Sequence, residues 1–347
     1  MSRSLTLRTP VLSLRLRVAA LRTAALLLVL LAGIALWGTM RGDYPLTMAQ
    51  IAGAFGADPD PMAEFIVTGL RLPRIAGALI AGAGFGLAGA LFQTLSRNDL
   101  ASPDLIGFSA GAALGAVASV VLLGATGLAA AGGAVAGVAL TALVITALAW
   151  RDGLQPLRFV LVGVGIGLML YAAVDYLLTR ATGMEAEAAY RWLAGSLNAV
   201  GPSELTLGLP VITALLVAAA LLERGMARLA LGAEVATSLG LPLTRLRAAA
   251  ALIGVLATAL AVYVAGPVAF VAFVSGPVAR RLAGGGPALL LSALLGATFL
   301  TAADLAARLA FAPTQLPVGI FTALCGAPVL IWQIRRQGRG PARKDAS

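Results

Sequence analysis

Long apolar segments separated by short polar ones recur along the whole chain. Most of them are about 20 residues long, enough for a helix to cross the ~30 Å hydrocarbon core of a membrane. The alternating polarity that a transmembrane β-barrel requires does not occur in them. The pattern therefore predicts an all-α, polytopic membrane protein with about ten transmembrane helices. The predicted spans are 23–40, 75–95, 105–124, 128–150, 157–178, 205–222, 246–265, 268–282, 287–310 and 317–334.

The first apolar segment has two interpretations, because a basic stretch precedes it. A cleaved signal peptide is one of them, but the segment ends in Leu-Trp-Gly-Thr-Met without an A-x-A cleavage pattern. We therefore expect a retained span. This divides the chain into a basic N-terminal segment (1–22), a transmembrane domain (23–335) with an internal polar loop at about 223–247, and a polar tail (336–347).

The basic residues are distributed asymmetrically between the two sides of the membrane. Ten spans put both termini on one side, and the segments predicted on that side hold nineteen of the 25 Lys and Arg residues. The positive-inside rule identifies that side as the cytoplasm. The basic residues predicted outside are exceptions that need a reason: Arg41, Arg71, Arg74, Arg180, Arg191 and Arg308.

Composition excludes several kinds of chemistry. Hydrophobic residues make up 60% of the chain, histidine is absent, and Cys325 and Lys344 are the single cysteine and lysine. No metal site and no catalytic residue is therefore expected. A P-loop needs a lysine after its glycine loop, so ATP-driven work requires a partner. In a membrane protein the net charge of +10 indicates an inner-surface excess of arginine beside lipid rather than nucleic-acid binding.

Small residues four positions apart predict close helix packing. Such pairs are Gly82 and Gly86, Gly111 and Gly115, Gly133 and Gly137, and Gly163 and Gly167. Two further glycine patterns are coincidental matches to soluble motifs. Ser109 lies in a G-x-S-x-G sequence that would need a strand and a histidine, and Gly84, Gly86 and Gly89 match a dinucleotide fingerprint inside a predicted helix.

Two acidic residues lie within or at the edge of predicted spans. Intramembrane carboxylates are candidates for proton relays, which would suit an ion-coupled secondary transporter. Asp304 stands four residues before Arg308, an arrangement that favours an intrahelical ion pair. Asp175 lies near the outer end of its span, where it can reach water.

Five ordered segments resemble the signature of the FecCD-type permeases of ABC importers. The first is "RLPR" with the glycine-rich span after it and "NDLASPDLIG", in which Asp99 replaces a usual proline. The others are "RWLAGSL", "LALGAEVATSLG" with Ala233 in place of a glutamate, "AGPVAFVAFVSGPVARRL", which lacks a common histidine, and the closing "ADLAARLAFAPTQLPVGIFTALCGAPVLIW". The resemblance covers about residues 40 to 335.

The resemblance implies a type II ABC importer permease fold in the bacterial inner membrane. It also implies the partners: a second permease subunit, identical or paralogous, cytoplasmic subunits that bind ATP and Mg, and an extracytoplasmic siderophore-binding protein. No cofactor is expected on this chain itself. Ferric siderophores are the expected cargo, with cobalamin or haem as the alternative. An intramembrane hydrolase built on Ser109 is a remote alternative of another class.

The family motifs also imply three sets of functional residues. The outer arginines Arg71, Arg74 and Arg308 are expected to receive acidic residues of the binding protein, although arginines can also anchor in headgroups. A short helix-prone piece between Gly232 and Gly240 is expected to contact the ATPase. Its candidate contacts are Glu234, Val235, Ser238 and Leu239, and a possible cytoplasmic gate consists of Gln155, Pro156 and Leu157.

Overall fold

The computed structural model describes residues 4–8, 13–151, 153, 155–311 and 314–337. Within this part of the chain, two short strands, β1 (Ser4–Arg8) and β2 (Ser13–Arg17), pair antiparallel before the first helix. The remaining regular elements are helical. They are α1 (Val18–Met40), α2 (Met48–Gly53), α3 (Pro61–Glu64), a π-helical segment (Phe65–Arg71), α4 (Leu72–Ser96), α5 (Phe108–Leu123), α6 (Leu128–Ala149), α7 (Pro156–Arg180), α8 (Gly183–Leu193), α9 (Pro202–Leu229), α10 (Ala233–Ser238), α11 (Leu243–Ala265), α12 (Val271–Leu282), α13 (Leu289–Leu309) and α14 (Val318–Gln337).

A helix occupies each of the ten predicted spans, which confirms the all-α, polytopic fold. Seven helical segments are long and apolar enough to cross a membrane, and α5 and α14 are shorter apolar helices. The eighth predicted span, 268–282, differs most from its prediction. Its helix α12 has only 12 residues, a rise of about 18 Å, so it covers little more than half of the hydrocarbon core.

Helix α4 is the centre of the core. It packs against α13, α11, α12 and α9, and nearly all of its side chains from Gly77 onward are buried. The glycines make this possible: a Cβ on Gly86 would lie 2.2 Å from the carbonyl oxygen of Ser292, and one on Gly89 would lie 1.9 Å from that of Ala272. The predicted close packing of small residues is therefore confirmed.

Helices α5, α6 and α7 form a second packed group beside α4. A Cβ on Gly115 would meet the carbonyl oxygen of Gly133 at 2.1 Å, and one on Gly163 would meet that of Ile106 at 2.5 Å. Phe92, Phe108 and Phe159 join this group to α4, with ring centroids 5.3 to 6.2 Å apart.

Several boundaries and elements differ from the sequence prediction. Helix α1 begins at Val18, within the segment predicted to precede the first span, while α9 and α11 extend into the predicted polar loop 223–247 and leave only 230–242 between them. Helices α2 and α8 were not predicted. Each begins with a capping box; at α8, hydrogen bonds from Thr182 lower the pKa of Glu185. Most of the predicted tail, residues 338–347, lies outside the described residues.

Candidate functional sites

The three outer arginines come together at one end of the helix bundle. Arg71 ends the π-helical segment, Arg74 lies in the first turn of α4, and Arg308 lies in the last turn of α13. Pro73, two residues after Arg71, lies in the first turn of α4. It has no N–H to donate to the carbonyl of Gly69, four residues earlier. The wider π-helical turns stand immediately before this proline.

The Arg71 side chain is buried and makes its hydrogen bonds within the protein. It is 6% exposed, and its guanidinium donates hydrogen bonds to the carbonyl oxygens of Thr39 and Tyr44. Arg308 donates to the carbonyl of Gly38 at 3.4 Å. Gly38 and Thr39 belong to the last turn of α1, where carbonyls have no intrahelical partner and the helix dipole favours a cation. The two arginines therefore stabilise the C-terminal end of α1.

Arg74 and Arg308 share one carboxylate, that of Asp304. The Arg74 Nε and Nη2 atoms lie 2.8 to 3.0 Å from the Asp304 oxygens, a bidentate arrangement that joins α4 to α13. Arg308 lies 3.5 Å from Asp304 within α13, which confirms the predicted intrahelical pair. The third side-chain nitrogen of Arg74 donates to Gln315 at the exposed edge, 2.9 Å away.

This arrangement limits what the arginines can offer to a docking protein. The side chains of Arg74 and Arg308 are only 11% and 9% exposed, and Arg71 is the most enclosed of the three. The cluster nevertheless leaves an excess of positive charge, since its three guanidinium groups face two carboxylates, those of Asp304 and nearby Asp43. Exposed Arg41 adds to it in the loop after α1. The family motif did not include Arg41, and its exposure could not be read from the sequence.

At the opposite end of the bundle, α10 forms the predicted short helix between α9 and α11. Gly232 and Gly240, at φ +129° and +74°, delimit it, and Ala236 is its buried anchor. Successive residues of a helix are separated by about 100°, so the four candidate contacts share one side. Glu234, Val235, Ser238 and Leu239 are all exposed there.

The candidate gate lies where α7 begins. Gln155 precedes the helix, Pro156 occupies its first turn, and Leu157 is 72% exposed. Pro156 lines a small cavity together with the buried aromatic residues Phe92 and Phe159. Two of the three gate residues therefore present their side chains to the outside of this subunit.

The remaining candidates have simpler roles. The Ser109 hydroxyl donates to the carboxylate of Asp104 inside a helical domain, so the G-x-S-x-G sequence forms no strand-to-helix elbow. Gly84, Gly86 and Gly89 face the backbone and side chains of neighbouring helices. Asp175 is exposed on α7.

The architecture and its two ends define a class of protein: a multi-pass membrane subunit with a short helix beyond the bundle at one end and an arginine cluster at the other. A metal-chelate-type ABC transporter, solved in an inward-facing conformation, has the same fold, with a TM-score of 0.81 over 91% of this chain and 99% of that one at 24% identity. The model of the FecCD transport family matches residues 25–336, and the chain belongs to that family.

Two curated relatives fit this assignment. The ferric enterobactin transport system permease protein FepG of Escherichia coli is 39% identical over 305 residues, 88% of this chain and 92% of that protein. The cobalamin import system permease protein BtuC of Halobacterium salinarum is 36% identical over 296 residues, 84% of this chain and 78% of that protein. This chain is the permease subunit of an ABC transporter.

Proposed function

We propose that this permease forms the translocation path for a ferric siderophore in the bacterial inner membrane, with both termini in the cytoplasm. The observation that carries the choice of cargo is the 39% identity to the ferric enterobactin permease over nearly the whole of both chains. Cobalamin is the second candidate, because the cobalamin permease is also similar over most of its length.

Cargo choice is tested by uptake of three labelled probes into vesicles that hold the complete transporter. Ferric enterobactin is expected to accumulate with ATP inside the vesicles, whereas cobalamin and haem are not. Accumulation of cobalamin alone would overturn the siderophore assignment and leave the transporter class intact. Accumulation driven by a proton gradient without ATP would overturn the class.

We further propose that the chain works with separate ATPase subunits, a second permease subunit and an external binding protein. The purified permease is expected to hydrolyse no ATP, because its single lysine stands at position 344 and a P-loop requires one. ATP hydrolysis is expected only after the ATPase subunits are added. A vanadate-sensitive ATPase activity that copurifies with the permease through three chromatographic steps would contradict this.

Docking of the binding protein is proposed at the arginine cluster, chiefly through Arg74 and Arg308. Positive charge on the outer face complements acidic residues on a partner and speeds the encounter. Arg71 contributes by holding the end of α1 in place. Charge reversal at Arg71 would break its two hydrogen bonds to backbone carbonyls, so a docking test must leave it unchanged.

Replacing Arg74 by glutamine is expected to slow capture of the loaded binding protein by at most about fivefold, because one ion pair at a protein surface contributes only ~0.2 to 1 kcal/mol. Arg41→Gln is the matched control, because Arg41 is an exposed arginine of the same face. Association rates are measured at two salt concentrations, since charge steering is screened over about 8 Å at physiological ionic strength.

Two results would separate docking from other roles of the cluster. Equal slowing by both variants would mean that the face acts through its overall charge. An unchanged rate for Arg74→Gln, in protein that still elutes as a folded complex, would mean that Arg74 serves only the ion pair with Asp304.

A further inference from the structure

Two non-helical segments enter the interior of the membrane domain and meet there. Segment 97–107 begins beside the end of α9, and its Gly107 packs against Gly163 and Gly167, about halfway along α7. Segment 266–270 begins beside α8, and the side chain of Phe270 lies against Gly326 in α14. Irregular backbone at such depth is tolerated only inside protein or along a cavity, so its polar groups require partners.

Asp104 supplies the partner where the two segments meet. Its carboxylate accepts hydrogen bonds from the Ser109 hydroxyl and from the backbone N–H of Phe270. Phe270 is the N-cap residue of α12, has φ +68°, and caps the helix with no side-chain hydrogen bond of its own. The acidic group therefore lies at the positive end of the α12 dipole.

Asp99 fastens the same segment to the other end of α12. The Arg280 Nη2 atom lies 2.6 Å from Asp99 Oδ1, and the Arg280 guanidinium also donates to the Gln93 side-chain oxygen at 3.3 Å. The Gln93 amide in turn donates to the carbonyl of Phe273 at 3.1 Å. This carbonyl is free because Pro277, four residues later, has no N–H.

The two contacts span most of the length of α12. Ten residues of helix separate Phe270 from Arg280, a rise of about 15 Å. Five residues separate Asp99 from Asp104, and they follow α12 in the opposite direction. At the cytoplasmic end of the segment, Arg97 donates to the carbonyl of Ala230 at 3.4 Å, directly before α10.

We propose that segment 97–107 is a positioning element of the transport cycle, fastened along α12 by Asp99 and Asp104. It links the α9–α10 junction to the centre of the membrane domain, so that displacement of α10 by the ATPase moves α12 and the interior segments together. This inference rests on the proposed coupling role of α10. A proline, usual at position 99 in the family motif, has no carboxylate and could not form the pair with Arg280.

The test measures whether segment 97–107 and the α9–α10 junction move as one body. Spin labels are placed at Leu105 and Leu231, which are 51% and 67% exposed, in a Cys325→Ala background. Distance distributions between the labels are recorded for the permease–ATPase complex without nucleotide and with vanadate-trapped ATP. One narrow distribution is expected in both states, and Asp99→Asn is expected to broaden it at least twofold.

A charge exchange, Asp99→Arg with Arg280→Asp, is expected to restore the narrow distribution. The control is Glu187→Gln, which removes a largely exposed ion pair with Arg191 on α8 and is expected to leave the distribution unchanged. Asp104→Asn, which keeps one acceptor oxygen for the Phe270 amide, is expected to broaden it less than Asp104→Ala.

A functional readout accompanies the distances. With ferric enterobactin as the probe, Asp99→Asn is expected to hydrolyse ATP within twofold of the parent rate while uptake per ATP falls at least tenfold. A parent-like distribution and an unchanged uptake per ATP in Asp99→Asn would overturn the inference, as would a charge exchange that restores neither. If the parent complex shows no ATP-driven uptake, the proposed cargo and coupling fail, whereas the distance result still decides whether the segment is fastened to α12.

Discussion

Replacing Leu239 by aspartate is expected to abolish ATP-driven uptake while leaving the permease in the membrane. Leu239 is 56% exposed on the side of α10 that also presents Glu234, Val235 and Ser238. Exposed apolar side chains on a short helix outside the bundle are suited to a groove on another protein. A charge at such a contact should cost about 2 to 4 kcal/mol of association, a loss of more than tenfold in affinity.

The control for this prediction lies on the same helix. Thr237 is exposed but lies on a different side of the helix from Val235 and Leu239, because it is about 160° from each of them around the helix axis. Thr237→Asp introduces the same charge in the same six-residue helix and is expected to retain most uptake. Glu234→Arg, on the contact side, is expected to behave like Leu239→Asp.

Copurification of the ATPase subunits with each permease variant provides the direct measurement. Leu239→Asp should lose the ATPase during purification, and Thr237→Asp should keep it. If both variants keep it and transport normally, the loop between α9 and α11 is only a connector. If both lose it, the added charge acts by unfolding α10, and the contact side has not been identified correctly.

The sequence was most informative where the membrane imposes a strong constraint. A span must be apolar over about 20 residues, so α1, α4, α6 and α11 could be located to within a few residues. Glycines at intervals of four indicated which helix faces approach each other. At Gly82 and Gly86 the partner backbone, at Gly296 and Ser292, is close enough to exclude a Cβ.

Hydropathy failed where helices stop inside the membrane domain. Hydropathy placed residues 105–107 and 268–270 inside predicted spans, yet their backbone is non-helical there. Tertiary partners support this backbone and the helix next to it: Asp104 accepts from the Phe270 amide, and Gln93 donates to the Phe273 carbonyl. Those partners are distant in sequence, so a window of hydropathy contains no sign of them.

The arginine cluster illustrates a second limit. Charge distribution marked Arg71, Arg74 and Arg308 as exceptions that require a reason, and spacing predicted the Asp304–Arg308 pair, which the structure contains. The stronger pair between Arg74 and Asp304 crosses 230 positions of sequence, and the backbone acceptors of Arg71 are invisible in any motif. A sequence motif can identify a residue as functionally important without indicating which residues it contacts in the fold.

Removal of the Asp304 side chain is expected to be the most destabilising single change at the arginine-cluster end of the bundle. Asp304 is buried, with its side chain 3% exposed, and it pairs with Arg74 and Arg308, which are themselves largely enclosed. Asp304→Ala would leave two guanidinium groups without their carboxylate. Breaking a buried pair in this way typically costs about 3 to 5 kcal/mol.

Arg74→Met is the informative comparison, because it leaves Asp304 with one remaining partner in Arg308. We expect the midpoint of thermal unfolding in detergent to fall more for Asp304→Ala than for Arg74→Met. The double variant should fall by less than the sum of the two, since the second change removes a group that the first left unpaired. Additive shifts would show that the pair contributes no coupling energy.

Asp304→Asn separates this structural role from proton transfer. The amide keeps the size of the carboxylate and one oxygen that can accept from Arg74, but it cannot carry a proton through a relay. If Asp304 only holds α4 and α13 together, the folded Asp304→Asn protein should have a lowered unfolding midpoint and still transport with ATP. A variant of unchanged stability that transports nothing would instead identify Asp304 as a relay and revive the ion-coupled alternative.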